Sequence, residues 1–209
     1  MTNLDILEAV PARSGHFLLE SGYHTDLWLT LEALFISPRR LAPLVSMLAA
    51  RLEPHAPSAV CGPLLGGAFL AQTVATTLEI DFYFTEPVNA KAPGLFGAEY
   101  RLQEDLQRRI RDKRVAIVDD VISAGSSARA TAAAVAAAGG STVVVGTLLV
   151  LGTLALDHFA RAGVPVEALE RKDFALWAPS ACPLCSSGVP LEDLVHGTRP
   201  AAADDAARL

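Results

Sequence analysis

The sequence predicts an α/β fold, with a central, mostly parallel sheet and helices on both faces. Three observations lead there. Strand-like and helix-like segments alternate from residue 58 onward. Residues 143–150 are nearly all apolar and rich in β-branched side chains, the pattern of a strand buried on both faces. The chain has 209 residues, 51% of them hydrophobic and 19% charged, which suits one domain with a sizeable core.

Each element has its own reason. Residues 3–10 place Leu4, Leu7 and Glu8 at helical spacing. Residues 16–32 read as extended, with Phe17, Leu19, Leu27, Leu29 and Leu31 as the apolar positions. Ser37-Pro38 opens a helix, since Ser caps and Pro fits the first turn. That helix runs to near Pro54, and Pro43 is either close to its start or a second beginning. Residues 58–61 form a short strand, 66–78 a helix and 81–84 a strand. Residues 85–101, with Pro87, Pro93, Gly94 and Gly97, read as a long loop. Residues 114–118 make a strand, and 126–138 an Ala-rich helix closed by Gly139-Gly140. A helix at 154–162 ends at Gly163, and a last strand follows at 164–169. Residues 1–196 form one domain, and 197–209, low in large apolar residues, a flexible tail.

The net charge of −6 argues against a general nucleic-acid surface, which needs a basic face. No apolar stretch approaches the roughly 18 residues that span a bilayer. The first ten residues hold an early acid and no basic cluster, unlike a signal peptide. Three cysteines, Cys61, Cys182 and Cys185, fit a reducing cytoplasm without a disulfide framework. Cys61 reads as a small core residue. Cys182-Pro-Leu-Cys185 has the spacing of half a zinc site, but no second CxxC or HxxxH completes it, so a C-terminal turn is the preferred reading. His16, His24, His55, His158 and His196 are scattered and read as structural. A Gly-x-Ser-x-Gly elbow is absent. The basic run from Arg108 to Arg114 reads as a solvated face.

Residues 114–135, RVAIVDDVISAGSSARATAAAV, carry the chemistry. An apolar strand ends in Asp119 and Asp120, and a small-residue loop then opens a helix. In an open α/β sheet, ligands sit beyond the carboxyl ends of the strands. The free N–H groups and positive end of the following helix attract phosphate. Ser123, Ser126 and Ser127 add hydroxyls, and Gly125 permits close backbone approach or a positive φ. The two acids can accept hydrogen bonds from sugar hydroxyls.

This segment resembles the phosphoribosyl pyrophosphate motif of the type I phosphoribosyltransferases: apolar strand, two acids, two apolar residues, then a Ser/Gly loop. GHFLLESGYHTDLWLTLEALF (15–35) and CGPLLGGAFLAQTVA (61–75) resemble the N-terminal element and second loop of the family's orotate branch. WAPSACPLCSSGVPLE (177–192) is similar to the C-terminal end of some members. The resemblance implies the type I phosphoribosyltransferase fold, with a small hood from residues 1–36 and 170–196. It implies transfer of ribose 5-phosphate to a nucleobase, foremost orotate in pyrimidine nucleotide biosynthesis, with Mg²⁺ as cofactor and a homodimer as assembly. Substrate contacts are implied at Pro63, Leu64, Leu65, Gly66 and Gly67 for pyrophosphate. For the 5′-phosphate they are Val121, Ile122, Ser123, Ala124, Gly125, Ser126 and Ser127. Catalytic roles fall to Asp119 and Asp120 on the ribose, also the protein groups nearest the metal, and to Lys91 and Arg101 on the leaving group.

Three places depart from the family pattern. Glu20 stands where the family has a Lys. Residues 85–101 offer Lys91 and Arg101 against Glu86 and Glu99. Residues 149–153, where the family holds an Arg for the orotate carboxylate, carry no cation. A transferase for another base, and a non-catalytic binder of phosphoribosyl pyrophosphate or a nucleotide, therefore stay open.

Overall fold

The computed structural model describes residue 6 and residues 10–88 and 94–195. The helix expected at 3–10 falls almost wholly outside the described residues, as do Lys91 and the tail from 197.

The chain opens with an antiparallel hairpin, β1 (Ala12–Leu18) and β2 (His24–Leu29). The segment expected to be extended throughout breaks at a turn, where Gly22 takes φ +81°. A one-turn helix, α1 (Glu32–Phe35), leads to α2 (Pro38–Leu52). Pro43 lies inside α2 as its sixth residue, just past the first turn, so the helix gives up one intrahelical bond there and continues.

Alternating units then build the sheet: β3 (Ala59–Pro63), α3 (Gly66–Leu78), β4 (Asp81–Pro87), β5 (Tyr100–Arg101), α4 (Glu104–Ile110), β6 (Arg114–Ile122), α5 (Ser126–Ala137), β7 (Ser141–Leu151), α6 (Leu154–Arg161) and β8 (Val166–Lys172). The order across the sheet is β5-β4-β3-β6-β7-β8. All neighbours are parallel except β5, which pairs antiparallel with β4 through Glu86 and Arg101. The expected long loop is thus partly strand at both ends. The helix α4 was not expected, and β8 starts beyond Pro165 rather than at 164 because proline has no N–H for the ladder.

The period of two along β6 divides the core. Ala116 and Val118 pack with α2 and α3 side chains such as Leu48, Leu52 and Leu70 on one face. Val115 and Ile117 pack with Ile110, Val135 and Phe159 on the other. Burial on both faces is the reason the parallel strands read as continuous apolar runs.

The chain winds outward in one direction from β3 to β4, returns to the middle at β6, and winds the other way to β8. The carboxyl ends of β3 and β6 lie side by side where this direction reverses, the place in open α/β sheets where a crevice forms. A C-terminal segment containing α7 (Pro183–Ser186) folds back over the hairpin. His24 and Trp177 exchange backbone hydrogen bonds at 2.8 and 2.9 Å. Glu192 does the same with β1, donating to His16 O and accepting from Leu18 N. No helix among the described residues is long and apolar enough to cross a membrane.

Candidate active site

A cavity of about 270 Å³ occupies the crevice. Its floor comes from the β3–α3 turn, residues 63–67, and from Asp119, Asp120, Val121, Ser123, Gly125, Ser126 and Ser127 after β6. The two sequence-predicted loops, 52 or more residues apart in the chain, therefore meet in one place. Ile122 and Ala124 are buried and do not line the cavity. Ile122 packs with Ala128 and Val135 under the loop, so the apolar members of the motif anchor it rather than face the crevice.

Glycines at the start of α3 let the loops touch. A Cβ on Gly66 would collide with the Asp120 carboxylate. One on Gly67 would lie 2.7 Å from Asp119 Oδ1 and from Pro63 Cδ. Leu64 N donates to Thr85 O at 2.9 Å, fixing the turn to β4. Gly125, at φ +80°, is the N-cap of α5, and its left-handed backbone aims the first turn of that helix at the cavity.

Asp119 is 5% exposed. Its Oδ2 accepts from Ser127 Oγ at 2.6 Å, and its Oδ1 accepts from Asp120 N at 3.0 Å. Asp120 Oδ1 accepts from Val121 N at 2.8 Å. Burial holds the proton affinity of Asp119 well above the usual carboxylate range, and the charge of Asp120 adds to this. Burial raises Asp120 as well. Ser126 Oγ, at the N-terminus of α5, is buried and has no hydrogen-bond partner. Orphaned buried hydroxyls are rare in native proteins, and this one lines a cavity beside free helix N–H groups.

The upper wall comes from Leu19, Glu20, Ser21, Trp28 and Glu32, all within the 15–35 stretch that resembles the family's N-terminal element, and from Tyr100 and Val195, which no motif singled out. Tyr100 donates to Glu20 Oε1 at 2.9 Å, tying β5 to the hairpin turn. Burial and the Glu20 charge both raise the Tyr100 phenol, so it stays a donor. Phe96 N donates to Ser21 O at 2.8 Å, and the Phe96 and Tyr23 rings meet at 5.7 Å. Arg101 does not line the cavity. It is largely exposed and sits 3.9 Å from Glu86 across the strand pair. Lys91 lies outside the described residues.

A second cavity of about 210 Å³ adjoins the first. Leu27, Trp28, Leu29, Leu31, Leu151 and Phe174 make it apolar, and it shares Glu32, Asp120, Val121 and Ser123 with its neighbour. No Lys or Arg among the described residues lines either cavity, while Glu20, Glu32, Asp119 and Asp120 do. Four carboxylates repel an anionic ligand unless a cation enters with it. All-oxygen donors suit a hard divalent ion such as Mg²⁺, so the residues present fit one.

No protein-family model matches the chain. It is 30% identical over 189 residues to the orotate phosphoribosyltransferase of Thermotoga maritima, covering 90% of this chain and 94% of the relative. It is 32% identical over 177 residues to that of Desulforamulus reducens, covering 85% and 86%. Among solved structures, the adenine phosphoribosyltransferase of Thermoanaerobacter pseudethanolicus superposes with a TM-score of 0.63 at 17% identity, covering 81% of this chain and 99% of that one. The orotate phosphoribosyltransferase of Aeropyrum pernix gives 0.59 at 22% identity, covering 80% and 90%. With paired acids and a helix N-terminus at the reversal of a type I phosphoribosyltransferase sheet, and with that identity running along nearly its whole length, the chain belongs to the orotate phosphoribosyltransferase family.

Proposed function

We propose that this chain transfers ribose 5-phosphate from phosphoribosyl pyrophosphate to orotate, giving orotidine 5′-monophosphate and pyrophosphate. The orphaned Ser126 Oγ carries the reading, because it marks a polar ligand at the N-terminus of α5. The 5′-phosphate belongs there, held by Ser126 and the N–H groups of residues 123–127. Asp119 and Asp120 accept from the ribose hydroxyls. The 64–67 turn faces the pyrophosphate, and the apolar neighbouring cavity takes the base between Trp28 and Phe174.

A nitrogen of the base forms the new bond to C1 of the ribose as the C1–O bond to pyrophosphate breaks. Positive charge grows on the sugar, as in glycoside chemistry, and the carboxylates of buried Asp119 and half-buried Asp120 oppose it. Asp119 and Asp120 are the residues that would hold Mg²⁺, which would supply charge neutralisation for the polyphosphate. Tyr100 and the Glu20 turn cover the crevice and reduce competition from water. Lys91 and Arg101 are the donors to test on the leaving group. A homodimer in the cytoplasm completes the reading, which the unpaired thiols fit.

A second reading rests on the apolar base cavity, whose described lining has no cation for a carboxylate. It takes a base without one. Pyrophosphate release from phosphoribosyl pyrophosphate and Mg²⁺, with orotate, uracil and purines supplied separately, decides among these. Orotate-dependent release, lost in an Asp119→Asn/Asp120→Asn variant, is the expected result. Release with an uncharged base selects the second reading. No release with any base, despite measurable binding, leaves a non-catalytic binder.

A further inference from the structure

Four side chains outside the crevice converge on a single point. His16 on β1, His24 at the start of β2, and Cys182 and Cys185 flanking the start of α7 bring one ligand-type atom each to within 4.8 Å of one another. His16 Nε2 lies 3.1 Å from His24 Nδ1, 3.4 Å from Cys182 Sγ and 3.7 Å from Cys185 Sγ. Cys185 Sγ lies 3.3 Å from His24 Nδ1. We propose that these four residues bind a structural zinc ion that fastens the C-terminal segment to the N-terminal hairpin.

The distances fit a tetrahedron. Bonds of about 2.3 Å to sulfur and about 2.05 Å to nitrogen give edges of roughly 3.3 Å for N···N and 3.6 Å for S···N. The observed separations scatter around those edges. Pairwise hydrogen bonds explain them less well, because an imidazole nitrogen has one lone pair and His16 Nε2 has three neighbours. The His16 ring is oriented for metal binding. Its Nδ1 donates to Val189 O at 2.8 Å, which leaves the Nε2 lone pair facing the cluster, the same orientation that a backbone carbonyl gives zinc-bound imidazoles.

Chemistry selects the ion. Two thiol sulfurs and two imidazoles are a soft, closed donor set, suited to zinc rather than magnesium. Both cysteines are free of disulfide. His16, His24 and Cys182 are buried at 1%, 4% and 1% exposure, while Cys185 is exposed; four protein ligands fill a tetrahedron, so no position is left for substrate and the role is structural. The ligands come from segments 161 to 169 residues apart, joined otherwise by a few backbone hydrogen bonds, the His16 Nδ1–Val189 O bond and the partly exposed Arg13–Glu192 ion pair. Metal binding there is folding energy for the hairpin. The hairpin turn carries Glu20 and Ser21, so the ion also steadies one wall of the crevice.

Metal content of the purified chain, measured by plasma mass spectrometry, tests the assignment. About one zinc ion per chain is expected, kept by Asp119→Asn/Asp120→Asn and lost by Cys182→Ser/Cys185→Ser. Exchange of wild-type protein into Co²⁺ is expected to give intense tetrahedral ligand-field bands and a thiolate charge-transfer band, a readout that needs no variant to fold. Chain refolded with zinc under reducing conditions that holds no stoichiometric metal would overturn the proposal. So would an octahedral cobalt spectrum, or zinc retained by the double cysteine variant. None of these outcomes depends on which base the crevice accepts.

Discussion

Burial raises the proton affinity of Asp119, and the neighbouring Asp120 charge raises it further, so the folded chain holds that proton more tightly than the unfolded chain does. Above the ordinary carboxylate range the unfolded state has released the proton at less cost, and stability falls as pH rises. Asp119→Asn is therefore expected to melt higher than the parent at pH 7. The gain is about 1.4 kcal/mol for each unit of raised pKa, or about 2–4 °C per kcal/mol. The gain should shrink as pH is lowered through the raised pKa, and thermal melts across pH would show it. Transfer activity in the same variant falls by about 10²–10³. Gly67→Ala acts on the same carboxylate from the other side. Its Cβ sits 2.7 Å from Asp119 Oδ1 and from Pro63 Cδ, so either the acid or the turn must shift. A loss of about 1–3 kcal/mol is expected from overpacking, with a larger fall in pyrophosphate release than in secondary structure by circular dichroism.

At the scale of elements, Gly125 sets where α5 begins. Gly125→Ala meets both a left-handed backbone at φ +80° and the Ala155 Cβ at 2.9 Å. A cost of about 1–2 kcal/mol from the backbone, read by urea denaturation, should come with weaker phosphoribosyl pyrophosphate binding. Elements with strong local signals were legible in the sequence. The α3 bounds and the run through Asp119-Asp120 into α5 follow from strand, loop and helix chemistry close together in the chain. The two-residue β5 was not legible, because it exists through pairing with β4. Helix α4 offers only Leu106 and Ile110 at helical spacing, and its clearest signals are the acids in its first turn and arginines in its last. The upper wall of the crevice was partly hidden for the same reason as β5. Tyr100 reaches the acids through tertiary contact and carries no motif, and Glu20, Trp28 and Glu32 lie in the 15–35 resemblance but were given no place in the site by it. Cys182 and Cys185 showed half of a ligand set, and the other half came from a hairpin that no spacing rule connects to them.

Across the whole molecule, the reversal of winding between β3 and β6 puts the crevice over the best-buried part of the sheet. Cys61, inside β3, is fully buried, and burial pushes its thiol up to about 12. It should resist alkylation in the native chain and react on unfolding, so labelling followed by peptide mass spectrometry reports opening of the sheet's centre. The closeness of Gly66 and Gly67 to Asp120 and Asp119 has a consequence for the chain's descendants. Two stretches of the gene more than fifty codons apart are not free to drift separately. A side chain gained at 66 is tolerated where Asp120 has already been surrendered, one at 67 needs both Asp119 and Pro63 to give way, and a lineage that abandons the chemistry is expected to lose glycines and acids together.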